Sequence, residues 1–128
     1  DGELKSLQVF GNDYNTKDGS CIRDYIHVVD LAIAHVKSIK YLETLEDGEV
    51  DPIDLGRGEG STVLEVIAAF ERATGKKVPF EIAPRRAGDV EAIYANPTKA
   101  KNKLGWKAEL SLENMMTSAW KFQTNKKK

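Results

Sequence analysis

The sequence predicts a mixed α/β (α+β) fold of about four helices joined by short strands. Three observations carry this expectation. Capped stretches of helical periodicity recur along the chain, the strand-like runs between them are short, and the composition, 41% hydrophobic and 30% charged, is that of an ordinary globular protein. At 128 residues the chain has the size of one domain.

The first strand candidate is Leu7 to Phe10, and the second, Tyr25 to Val28, runs straight into a helix from about Val29 to Leu42. In that helix Leu31, Ala32, Ile33, Ala34 and Val36 place apolar groups nearly all round the first half, the pattern of a helix buried on more than one side. So short a chain can hardly wrap it, and part of its cover is expected from outside this sequence. Ile53 to Leu55 is a third strand candidate. Thr62 with Glu65 forms a capping box, Val63, Val66, Ile67 and Phe70 follow at i, i+3, i+4, i+7, and Gly75 ends the helix. Pro79 to Ala83 and Ile93 to Tyr94 read as strands. Asn96 as cap and Pro97 at the first position open a short helix that ends at Gly105, with Trp106 packing back. Ser111 caps a last helix whose core stripe is Leu112, Met115, Met116, Ala119 and Trp120, and Lys126 to Lys128 form a solvated tail.

Nineteen basic and twenty acidic residues give a net charge of −1, which argues against a nucleic-acid partner. The single cysteine, Cys21, excludes a disulfide framework and fits a reducing compartment, so the cytoplasm is the expected location. No run approaches the roughly 18 apolar residues a membrane span needs, and no signal pattern opens the chain, so no membrane association is expected. The start without methionine, Asp1-Gly2-Glu3-Leu4-Lys5, reads as a surface loop, and a longer polypeptide is expected.

Several groups invite a chemical reading. Gly56, Gly58 and Gly60 precede a helix, as in phosphate cradles. Their G-x-G-x-G spacing, with Ser61 where a dinucleotide fingerprint has glycine, favours a plain tight turn. His27 and His35 read as structural, no metal-ligand spacing occurs, and the pairs Asp13/Asp18 and Asp51/Asp54 have no positional support as acid and base. The loop Pro84-Arg85-Arg86-Ala87-Gly88-Asp89 is more informative. It is either a surface ion pair or a grip in which an arginine takes a phosphate and the carboxylate takes ribose hydroxyls. Arg23, set beside apolar chain, is a second arginine suited to the same diphosphate.

Six blocks resemble the UDP-glucose (UDP-galactose) 4-epimerase family: Val9 to Tyr14, Lys17 to Gly19, Arg23 to Ala32, Asp54 to Gly56 with Ser61 to Val66, Arg85 to Asp89, and Lys103 to Trp106. They lie in order over nearly the whole chain. The resemblance implies that residues 1–128 are the C-terminal UDP-sugar-binding portion of an extended short-chain dehydrogenase/reductase. It implies an N-terminal Rossmann domain, absent here, that binds NAD and carries a Tyr-x-x-x-Lys pair with Ser or Thr. Tyr14, Tyr25, Tyr41 and Tyr94 have no lysine four residues on, so no catalytic residue is expected in this chain. Carried over by position, Arg23 and Arg86 look like diphosphate arginines and Asp89, after Ala87 and Gly88, like the ribose acceptor. Gln8, Val9 and Phe10 resemble the segment whose backbone meets uracil, and Ile93 falls beside the sugar, where the family often has tyrosine. Residues 29–56 are expected to pack on the Rossmann half, which would also supply most of a homodimer interface. The implied reaction interconverts UDP-galactose and UDP-glucose through a 4-keto sugar with bound NAD. Against it stand a stand-alone nucleotide-binding module and an interaction domain.

Overall fold

Two small sheets bring distant parts of the chain together in the computed structural model, which describes residues 5–126. In one, β1 (Leu7–Phe10) pairs in parallel with β4 (Phe80–Ala83), Gln8 facing Glu81. In the other, β2 (Ile22–Arg23) lies between β3 (Ser61–Thr62), antiparallel, and β5 (Ala92–Ile93), parallel. The helices are α1 (Val28–Leu42), α2 (Val63–Thr74), α3 (Thr98–Leu104) and α4 (Leu112–Lys126).

The end signals account for the helices. Thr62 Oγ1 accepts from the Glu65 amide at 3.1 Å and Glu65 Oε2 accepts from the Thr62 amide at 2.9 Å, while Gly75 closes α2 at φ 68°. At α3 the cap position is Pro97, not Asn96, and carries no side-chain cap because proline has none to offer; Asn96 Oδ1 accepts from the Thr98 amide just ahead of the helix, and Gly105, φ 57°, ends it. Ser111 Oγ accepts from the Asn114 amide to open α4.

Two strand expectations are corrected. Tyr25 to Val28 is not a strand, because His27 caps α1: its Nδ1 accepts from the Val29 amide at 3.0 Å and its Nε2 lies 2.9 Å from Ser118 Oγ on α4. A helix start with its cap satisfied outweighs the β propensity of Ile26, Val28 and Val29. Ile53 to Leu55 is extended chain with no strand beside it among the described residues, and a strand exists only with a hydrogen-bonding neighbour. The last strand is Ala92–Ile93, one residue earlier than the alternation suggests.

Ala34, Ala100, Leu104 and Trp106 form a core between α1 and α3, with Ile53 and Leu55 against it. Trp106 donates its ring N–H to the Asp30 carbonyl, and buried Asp30 accepts from the amides of Glu109 and Leu110. A second layer packs α2 on α4, with Phe70 edge-on to Trp120 at 5.6 Å. Met115 is buried there and Ala119, expected in the stripe, is exposed. Within this chain α1 is covered on one side only, not on several: Val29, Ile33, Val36, Ile39 and Leu42 are exposed, Val36 by 62%. No helix among the described residues is long and apolar enough to cross a membrane.

Candidate functional site

The ends of β1, β2, β4 and β5 converge, and the loop after β4 lies over them. Arg86 to Asp89 is a tight turn closed by the Asp89 amide on the Arg86 carbonyl at 3.2 Å, with Gly88 at φ 85° as a type II turn requires. This turn folds Asp89 back onto Arg86. Arg86 Nε and Nη2 donate to its two oxygens at 2.9 and 3.2 Å, a two-pronged pair. Arg23 Nη2 stands 3.7 Å from Asp89 Oδ1, so one carboxylate faces both guanidinium groups. Arg23 Nη1 donates to the carbonyls of Ile22 and Val90 at 2.7 and 2.9 Å, which fixes its side chain along the sheet.

The electrostatics follow. The hydrogen bonds from Arg86, with the charges of Arg86 and Arg23, hold the Asp89 carboxyl below the usual carboxylate range, and Asp89 in turn raises Arg86. The Asp89 side chain is 15% exposed against 60% for Arg86, so the carboxylate sits inside and Arg86 faces solvent. The Arg86 guanidinium lies over the Phe10 ring at 4.7 Å. Ile93 is the register partner of Arg23 across β2 and β5, hence on the same face, and is 57% exposed.

The β1 backbone has a free edge among the described residues. Leu7 and Gly11 donate to the carbonyls of Pro79 and Ala83 on the β4 side, and strand alternation turns the amides of Gln8 and Phe10 outward. Val9 is buried in the interior, so its side chain has no part in the site. Phe10, Arg23, Arg86, Asp89 and Ile93 are therefore brought together, Ala87 and Gly88 make the turn, and Gln8 offers backbone. Two cations and a carboxylate beside an aromatic ring and a free strand edge can hold an anion, a diol and a planar heterocycle in a row.

Arg85 is excluded from this group. It pairs with Asp13 Oδ1 at 2.7 Å and stacks over Tyr14 at 4.0 Å. One participant was not read from the sequence: the Asp24 carboxylate, which occupies the glycine-rich turn. A carboxylate next in sequence to Arg23 was the available signal. No group of residues able to hold a metal ion occurs among those described.

The comparisons with known proteins bear on this arrangement. The family model described as GDP-mannose 4,6 dehydratase matches residues 1–119. The UDP-glucose 4-epimerase of Bacillus subtilis (strain 168) is 49% identical over 124 residues, 97% of this chain and 36% of that protein. The crystal structure of UDP-glucose 4-epimerase from Bifidobacterium longum in complex with NAD+ and UDP superposes with a TM-score of 0.89 at 50% identity, covering 97% of this chain and 36% of that one. The enzyme from Stenotrophomonas maltophila with bound NAD and formylated UDP-arabinopyranose gives 0.91 at 45% identity, with the same coverage of both chains. The chain thus spans about a third of the length of the relatives it matches.

Proposed function

Because the chain belongs to the family of extended short-chain dehydrogenases/reductases whose model is named for GDP-mannose 4,6 dehydratase, we propose that it is the UDP-sugar-anchoring portion of a UDP-glucose 4-epimerase. The convergence of Arg23, Arg86 and Asp89 carries the proposal. Arg23 and Arg86 hold the diphosphate, and Asp89 accepts from the ribose hydroxyls. The outward amides of Gln8 and Phe10 meet the uracil edge, and Ile93 borders the sugar. The adjacency of Arg23 and Ile93 supports that order, since in a UDP-sugar the hexose follows the phosphates.

NAD is not held by these residues. The glycine-rich turn lacks the dinucleotide spacing, and its Arg57 and Gly58 amides are taken by Asp24. NAD, held by the remainder of the enzyme, would supply a reversible hydride acceptor at the sugar. What this chain contributes is a firm hold at base, ribose and diphosphate, with no described hydrogen-bonding side chain at Ile93. The 4-keto sugar can then turn its other face without leaving, so the arginines serve turnover by positioning. Residues 29–56, with the exposed side of α1, pack on the Rossmann half, and the cytoplasmic enzyme is a homodimer mainly through that half.

Titration of the full-length enzyme with UDP tests the reading. Arg23→Ala and Arg86→Ala each weaken UDP binding on the order of ten- to a hundredfold, the scale of hydrogen bonds to a charged group, and leave NAD affinity unchanged. Intact UDP binding in both variants removes the proposal.

A further inference from the structure

The glycine-rich turn before α2 carries an anion of the chain's own. Asp24 Oδ1 accepts from the Arg57 amide at 3.0 Å, and Oδ2 accepts from the amides of Gly58 and Ala95 at 3.1 and 3.2 Å. A Cβ at Gly56 would fall inside contact distance of Oδ2, so glycine there admits the carboxylate. Convergent backbone amides of this kind form an anion nest.

One of the three bonds, to the Ala95 amide, joins the two sides of the site, and the other two tie the exit of β2 to the glycine-rich turn. Asp24 is the residue after Arg23, and Ala95 lies two residues beyond Ile93, Arg23's register partner. We infer that Asp24 is a positioning residue of the UDP-sugar site: without touching the ligand, it fixes the exit of β2 against the exit of β5 and so sets Arg23 relative to the sugar-facing position. The inference rests on the UDP-binding reading given above.

Electrostatics predicts the opposite sign, which makes the role measurable. Neutralising a carboxylate near a site for a negatively charged diphosphate should by charge alone tighten anion binding. A loss of affinity therefore reports geometry. In the full-length enzyme, Asp24→Asn, Arg23→Ala and the double variant are titrated with UDP. Asp24→Asn is expected to weaken binding on the order of tenfold, with the double variant little weaker than Arg23→Ala alone, because the residue being positioned is already gone. Unchanged or tighter binding in Asp24→Asn, or losses that simply add, overturns the positioning role. Unchanged binding in Arg23→Ala overturns this inference, and the diphosphate reading falls with it only if Arg86→Ala also leaves binding intact. If Asp24→Asn does not fold, Gly56→Ala replaces it, since it crowds both the Asp24 carboxylate and its partner residue Ala95 and keeps the charge, with the same expected pattern.

Discussion

Arg85 and Arg86 are chemically identical neighbours with different partners, and the backbone decides which does what. Arg85 is drawn to Asp13 and the face of Tyr14, so it ties the end of β4 to the loop after β1. Arg86, one residue on, is the first residue of the turn and reaches Asp89. That turn depends on Gly88, whose φ of 85° any side chain would strain although nothing lies within 4 Å to clash with it. Gly88→Ala is expected to cost about 1–2 kcal/mol of turn stability and to weaken UDP binding in the full-length enzyme, read by titration. At Ile93 the branched aliphatic side chain is shorter than a tyrosine and bears no hydroxyl, so on the proposed placement beside the sugar it leaves a roomier pocket. Ile93→Tyr is expected to lower kcat/KM for UDP-N-acetylgalactosamine relative to UDP-galactose; an unchanged ratio means that this position does not gate the pocket.

Among the elements, α2 shows how a local signal becomes a long-range tie. Thr62 is fully buried, caps α2 and donates to Asp18, which also accepts from the Ser20 amide and hydroxyl. Thr62→Ala is expected to lower stability by about 1–2 kcal/mol and Thr62→Ser by much less, measured by denaturant unfolding. A second tie links α1 to α3: Lys99 and Tyr41 both donate to Asp51. These bonds hold the Asp51 carboxyl below its ordinary 3.8 and push Tyr41 up to about 12. A carboxylate with a lowered folded-state pKa adds stability in full above its unfolded value and loses it as the pH falls through the folded one. The tie is therefore complete at neutral pH, and Asp51→Asn is expected to flatten the loss of stability in acid below about pH 4, seen as thermal midpoints converging with those of the unaltered protein. The α2 cap was readable in the sequence because its donors and acceptors lie three residues apart, as they do at Ser111, and the signals at Asn96 and Gly105 are equally local, two and five residues apart. The two-residue strands were not, since pairings such as Ile22 with Ala92 leave no periodicity behind. Asp24 stayed hidden for the same reason: its amide partners are 33, 34 and 71 residues away.

In the whole molecule, α1 divides a covered side from an open one. Val29, Ile33, Val36 and Ile39 make a stripe of aliphatic surface on the open side, while Ile53 and Leu55 pack against the core on the covered one. On the proposed packing against the Rossmann half that stripe is interior in the full-length enzyme. Val36→Asp is then expected to destabilise the enzyme by more than about 2 kcal/mol, the scale of an unpaired buried polar group, seen as a lower thermal midpoint. The parallel pairing of β1 with β4, and of β2 with β5, has a kinetic consequence. Arg86 meets Asp89 three residues on, but Arg23 reaches Val90 over 67 residues, so bringing Arg23 to the Arg86–Asp89 turn waits for a long loop to close. Long closures of low local reward come late in folding. A ligand that grips such late-formed contacts stabilises the native state and not the transition state, so saturating UDP should slow the unfolding limb of the chevron in the full-length enzyme while refolding keeps its rate.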